Sequence, residues 1–324
     1  MPRSPKGKVA SMKNDMALFA RLYIGCQNRD GILDEFFHHE NQACPPVLSD
    51  AGKMHLCSKS ELLVCLEGIA EAKSDTPAIT SVVLDGAVIV QMLKPGTAKT
   101  FEKYAHQVII PYVEGKLRRA SRLDLIWDGS LKTATREKRG KGVRRCVVST
   151  AAIPGNWQSF LRVDANKMEL FSFLSNVLVE TFHDDAKELV VTDGEAVICL
   201  PRQEDESSLA PCCQEEVDTC IMLHVAHAAV HDYRRIQVRT VDTDVVVLAV
   251  MVAQALPCMD ELWIAFGTGK NYRYIPAQEI AASFGLQKAR ALPVFHAMTG
   301  CDTVSAFRGM GRDLPGPHGT RFHN

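Results

Sequence analysis

Apolar and polar positions along the chain fall into two regimes. Over residues 1–75 the apolar positions recur at helical spacing in two stretches, Asp15 to Cys26 and Ser58 to Ala72, which predicts two helices with Ser60 as the cap of the second. From about residue 76 the pattern changes to short β-branched runs: Thr80 to Leu84, Leu123 to Trp127, Glu188 to Val191, Ile236 to Val241 and Glu261 to Phe266. Helical stretches separate them at Lys99 to Arg119, Lys167 to Phe182, Glu215 to Ala229 and Asp244 to Ala255, and one more follows at Lys288 to Met298. Continuous apolar runs interleaved with helices predict an α/β fold, with a mostly parallel central sheet and helices on both faces. The connections exceed the dozen or so residues that a parallel crossover needs. The predicted organisation is a helical annex over 1–75, an α/β domain over 76–311 and an irregular tail over 312–324.

Composition narrows the class. The chain is 46% hydrophobic and 23% charged over 324 residues, so it can bury a sizeable core and is not a disordered tail. The longest apolar run, Val245 to Pro257, is too short for a membrane span, which takes about 18 residues or more. No apolar stretch follows the basic N-terminus, as a signal peptide would require. Eleven scattered cysteines without a CxxC pair fit reduced thiols. The expectation is a nuclear or cytoplasmic protein, not a secreted one, with no membrane partner. Net charge is −1, which excludes a uniformly basic chain but leaves room for a local basic patch.

That patch is visible. Seven basic residues (Lys132, Arg136, Lys138, Arg139, Lys141, Arg144 and Arg145) stand against one acid, Glu137. Such a run suits phosphate neutralisation, with binding that weakens as salt rises. It equally suits a solvated loop or a nuclear-localisation signal.

The acidic residues are placed more informatively. The predicted strands TSVVLD, RLDLIWD and RIQVRTVDTD end on Asp85, on Asp128, and on Asp242 with Asp244. In an open α/β sheet the carboxyl ends of parallel strands line one ligand-binding edge. Gly86 and Gly129 follow two of these aspartates and allow a tight exit. Glu215, Glu216 and Asp218 open the helix before the strand 236–241, and Asp302 follows the last helical stretch. Singly, aspartates after strands also cap helices and make turns. Jointly, four or more carboxylates in one pocket repel each other unless cations neutralise them. Two Mg2+ or Mn2+ ions about 4 Å apart would do so and would activate water against a phosphodiester. Other features read as structural: His224, His227 and His231 as packing or capping groups, Trp127, Trp157 and Trp263 as core, and FGTGK at 266–270 as a strand and turn.

These segments carry a resemblance. TVDTDVVVLAV resembles the paired-aspartate motif of flap-endonuclease and XPG-like nucleases, and MTGCDTVSAFRGMG resembles their GCDY…GIG motif. VVLDGAVIV, LIWDGS with its basic stretch, and QEEVDTC resemble their first-strand aspartate, their VFDG motif with a basic arch, and their glutamate-bearing helix start. The resemblance spans about residues 78–311 and implies a three-layer PIN-like fold. It implies Asp85, Asp128, Asp242, Asp244 and Asp302 as metal ligands, and the family's E-x-E spacing fits Glu216 with Asp218 beside them as catalytic acids, whereas a shared helix face favours Glu215 with Asp218. It also implies Gly309 and Gly311 in a hairpin that grips nucleic acid, DNA rather than RNA. The activity implied is a Mg2+- or Mn2+-dependent endo- or exonuclease using two ions. The sequence departs from the family after Gly311, where Pro315 and Pro317 oppose a second hairpin helix, so the tail is expected to be truncated. The whole chain is also similar to mobile-element-derived open reading frames repeated in animal genomes.

Two other readings compete. One is a catalytically silent module, derived from a mobile element, that binds nucleic acid or protein. The other is a haloacid-dehalogenase-like phosphatase, since VDTDV fits a DxDx[TV] nucleophile motif. In that fold the motif opens the domain, whereas only 80 residues follow Asp244.

Overall fold

The computed structural model describes residues 16–17, 19–21, 23–24, 48–50, 53–54, 59–127, 144–194, 196–202, 208–210 and 217–300. They form two compact units, one over 60–293 and the other over the described residues of 1–59 and 294–300. In the latter, Met16, Ala17, Phe19, Ala20, Arg21, Tyr23 and Ile24 are helical and exposed, and the rings of Phe19 and Tyr23 stack at 6.2 Å. Ser49–Asp50 pairs antiparallel with Lys53–Met54.

The unit over 60–293 is α/β, built on a seven-stranded, mostly parallel sheet. Its strands are β1 (Ser81–Asp85), β2 (Arg122–Ile126), β3 (Glu188–Asp193), β4 (Ala196–Leu200), β5 (Arg235–Thr240), β6 (Glu261–Phe266) and β7 (Arg273–Pro276). Their order is β4-β3-β2-β1-β5-β6-β7. Neighbours among β3, β2, β1, β5 and β6 are parallel, while β4 and β7 run antiparallel at the two edges. The chain therefore steps outward from β1 to β3 on one side, then returns to lay β5 on the other side of β1. The direction reverses between β1 and β5, and the carboxyl ends of the strands at such a switch point are where open α/β sheets bind ligands.

The helices are α1 (Lys59–Glu67), α2 (Gly86–Met92), α3 (Phe101–Tyr104), α4 (Ile110–Leu117), α5 (Trp157–Leu161), α6 (Asp164–Thr181), α7 (Val217–Val230), α8 (Thr243–Ala255) and α9 (Ala277–Thr299). A π turn over Ala105–Ile109 joins α3 to α4. Helix α9 is interrupted by Gly285, whose φ of 68° suits a residue without a Cβ. The five strand runs predicted from sequence are all present. Four elements of this unit lie outside the prediction, α2, α5, β4 and β7, as do the paired strands Ser49–Asp50 and Lys53–Met54 of the other. Helix α1 starts at Lys59, so Ser60 sits inside its first turn instead of capping it.

One face of β1–β3 carries an extensive apolar core. Val82, Leu84, Leu123, Leu125, Leu189 and Val191 pack there with residues of α2 to α6. Trp127, just past β2, stacks on Phe171 at 4.6 Å. Its indole donates to Ser175 Oγ and its backbone amide to Thr192 Oγ1, both at 2.8 Å. Trp127, Trp157 and Trp263 are all buried. Gly86 is required by that packing: a Cβ there would lie 2.1 Å from the Trp127 ring.

The opposite face of β2 carries charge. Arg122 and Asp124 alternate with Leu123 and Leu125 and are fully buried. Arg122 Nε and Nη2 donate to the two Asp124 oxygens at 2.7 Å each. His224 of α7 lies 2.8 Å from Asp124 through Nδ1, and Glu188 lies 3.6 Å from Arg122. Burial alone would raise the Asp124 carboxyl, but Arg122 and His224 hold it below its ordinary value. Nearby His227, also buried, is pushed down to about 4 by burial and by the charge of Arg122, so it stays neutral at neutral pH. Breaking one member of such a triad strands its partners in the core. Asp124→Asn is expected to cost about 3–5 kcal/mol, read from the urea midpoint at constant slope. A loss under about 1 kcal/mol would contradict this account of the face.

Candidate metal centre

The rim at the carboxyl ends of β1 and β5 is built by two short stretches, Leu84–Asp85–Gly86 and Thr240–Val241–Asp242–Thr243–Asp244. Asp85 ends β1 and caps α2, with its Oδ1 accepting from the Val88 amide at 3.1 Å. Asp242 caps α8 in the same way, accepting from the Asp244 amide at 3.0 Å. The two strands are adjacent and in register up to Leu84 opposite Arg239, so the two caps come side by side. The capping role that any strand-end aspartate can play is thus present at both, and it brings the carboxylates near enough for the Asp242 charge to act on Asp85.

Asp218 completes the arrangement from a third element. It lies in the first turn of α7, packed against α8. One carboxylate oxygen from each of Asp218, Asp242 and Asp244 lies within 4.8 Å of the other two, and all three residues are half-buried. Three hard oxygen donors at that spacing could hold a metal ion. Asp85 lies outside that triad but feels it, and it is much more deeply buried. Burial pushes its carboxyl up to about 6, and the charge of Asp242 adds to the rise. The amides of Val88 and Ala87 and the Thr240 hydroxyl pull the other way.

Thr240 was not singled out by sequence. Its Oγ1 lies 3.5 Å from Asp85 Oδ2 and accepts from the Asp242 amide at 3.1 Å. The available signal was its position, two residues before a helix-capping aspartate at a strand end. Asp124 was also missed, although an acid at an apolar-period position within RLDLI marks it.

Asp85, Asp218, Asp242 and Asp244 therefore meet at one rim. Asp128, Glu215, Glu216 and Asp302 lie outside the described residues. So do Lys132, Arg136, Lys138, Arg139, Lys141, Gly309 and Gly311. Arg144 is described: it is exposed and pairs with Glu169 of α6 at 3.2 Å. The backbone amide of Arg145 donates to Asn166 Oδ1 at 2.8 Å. FGTGK forms the end of β6 and a 3-10 turn. No helix among the described residues is long and apolar enough to cross a membrane. No protein-family model matches the sequence, and no curated protein matches it.

A carboxyl raised from 3.8 to about 6 holds its proton more tightly in the folded state. Its contribution is then favourable below about pH 4 and is lost as pH rises through about 6. Asp85→Asn keeps the capping oxygen and removes the buried charge. In EDTA the variant is expected to be more stable than the parent by about 2–3 kcal/mol at pH 8, and the gap should close towards pH 4. Melting curves across that range test this, and a variant less stable at pH 8 would contradict it.

Proposed function

We propose that this chain is a metal-dependent nuclease with a three-layer PIN-like fold of the flap-endonuclease and XPG-like type, preceded by a helical annex. The observation that carries the reading is the convergence of Asp218, Asp242 and Asp244 at the strand ends where the sheet reverses direction. The motif resemblance of residues 78–311 supports it independently. Asp85, Asp128, Glu216 and Asp302 complete the acidic set in this reading.

The donor set fits the group. Carboxylate oxygens suit Mg2+ or Mn2+, and two ions offset a charge that four or more acids would otherwise leave unbalanced. Divalent ions bound there supply the positive charge that in-line hydrolysis of a phosphodiester requires. The chain's own groups hold and orient. Asp242 and Asp244 are fixed by the capped start of α8, Asp218 by the seat of α7, and Asp85 by the amides of α2. Lys132, Arg136, Lys138, Arg139, Lys141, Arg144 and Arg145 draw in the phosphates of a nucleic-acid strand, DNA before RNA, and Gly309 and Gly311 meet its backbone. The working compartment is the nucleus or the cytoplasm.

A cleavage assay tests the reading. Labelled single-stranded, duplex and flap DNA, and RNA, are incubated with the full chain in Mg2+, Mn2+ or EDTA. Cutting is expected with either metal, and none with EDTA or with the Asp242→Asn/Asp244→Asn variant. If folded protein cuts no substrate in either metal, the nuclease reading fails and a nucleic-acid- or protein-binding module takes its place.

A further inference from the structure

The edge of the sheet away from the acidic rim holds a cavity. Strands β1, β2 and β3 are parallel, so the segments that enter them lie at the opposite edge from Asp85. There α4 and the end of α6 part over the start of β3 and leave a cleft of about 310 Å³. That volume is at the small end of the about 300–1,000 Å³ usual for ligand sites. Ile110, Val113, Leu117, Leu178, Phe182 and Leu189 form its apolar floor, which is continuous with the core on that face. Glu114, Arg118, His183 and Asp184 line it as well and are exposed, so the cleft opens to solvent.

Two helices end at this cleft, α4 at Leu117 and α6 at Thr181. Each brings the partial negative charge of its carbonyl end. Basic groups ordinarily stand at such ends, and three do here. Arg118 is the cap residue of α4, His183 follows the cap of α6 at Phe182, and Lys187 donates from Nζ to the Ala120 carbonyl at 3.1 Å. Two acids stand there against that rule. Glu114 lies in the last turn of α4, on the helix face that carries Ile110, Val113 and Leu117. Asp184 lies just past the end of α6, where its Oδ1 accepts from the Ala186 amide at 3.0 Å. The basic groups offset the helix ends, and the two carboxylates add negative charge beside an apolar floor.

We propose that this cleft binds a small hydrophobic amine, with its apolar body on the floor and its ammonium group on Glu114 and Asp184. The chemistry matches. An ammonium offers three N–H donors and no acceptor, and ionised carboxylates are acceptors only. A positive charge at this rim is attracted by both acids and by both helix ends. A carboxylic acid of the same shape could reach Arg118, but it would face that same negative charge. The floor supplies contact area, and the acids decide which class of ligand is taken. The inference does not depend on the metal centre, which lies at the other edge of the sheet.

The test is run on the full chain in EDTA, so that failure of the nuclease reading leaves it intact. Phenethylamine, phenethyl alcohol and phenylpropionate share one apolar body and differ in charge. Each is titrated by calorimetry at neutral pH, where the amine is protonated, into the parent, Glu114→Gln and Glu114→Lys. Saturable binding of the amine by the parent is expected, with the alcohol weaker and the carboxylate weakest. Glu114→Gln should weaken the amine about threefold or more and leave the alcohol unchanged. Glu114→Lys should make the carboxylate the tightest of the three. Glu114 is exposed, so both variants are expected to melt as the parent does. A parent that does not bind the amine saturably, or that prefers the carboxylate, overturns the proposal. So does a Glu114→Gln variant that binds the amine as the parent does.

Discussion

Like charges converging on one rim are the constraint around which this molecule is arranged. Strands β1 and β5 leave the sheet side by side, and their exits bring Asp85 and Asp242 to the same rim, with Asp244 and Asp218 beside them. Without counter-ions that arrangement costs stability; at Asp85 burial raises the carboxyl first, and the charge of Asp242 adds to the rise. The fold tolerates it by giving backbone amides to the carboxylates. Each cap at α2 and α8 stabilises both a helix start and an anion. A site that retains this repulsion is a site suited to cations, which turn the same geometry from a cost into a binding energy.

The far face of the sheet supports that rim. Helix α7 carries Asp218 in its first turn and His224 about two turns later, and His224 is tied to Asp124 in β2. That hydrogen bond, backed by Arg122, sets how α7 is rotated on the sheet and so where Asp218 points. An apolar seat of similar size would hold the helix without fixing its rotation. Arg239 plays a comparable part at β5 and β6, since one guanidinium gathers the carbonyls of Thr240, Ala265 and Gly267. The exit leading to Asp242 is therefore held from below as well as capped from above.

Much of this was legible in the sequence because strands buried on both faces are written as continuous apolar runs. TSVVLD and RIQVRTVDTD announce both the strand and the acid that ends it. The order of the strands was not legible, since nothing local shows that β5 returns to pair with β1 on the side away from β2. GAVIVQM escaped notice as α2 because a helix buried on most sides lacks an amphipathic period, and its β-branched residues imitate a strand. Strands β4 and β7 are short edge strands that pair antiparallel, so they do not fit a pattern of long parallel crossovers. His224 was read as a packing group for its apolar helix. Its role in setting α7 depends on Asp124, a hundred residues earlier, which sequence spacing cannot reveal.

The central claim is that Asp218, Asp242 and Asp244 form a metal centre. The most direct test is a crystal of the full chain grown with Mn2+, with data collected at a wavelength where manganese scatters anomalously. The account predicts an anomalous peak within about 2.0–2.3 Å of carboxylate oxygens of those three residues, and its loss in Asp242→Asn/Asp244→Asn crystals. Well-ordered crystals with no peak at this rim, or with manganese only elsewhere, would contradict it.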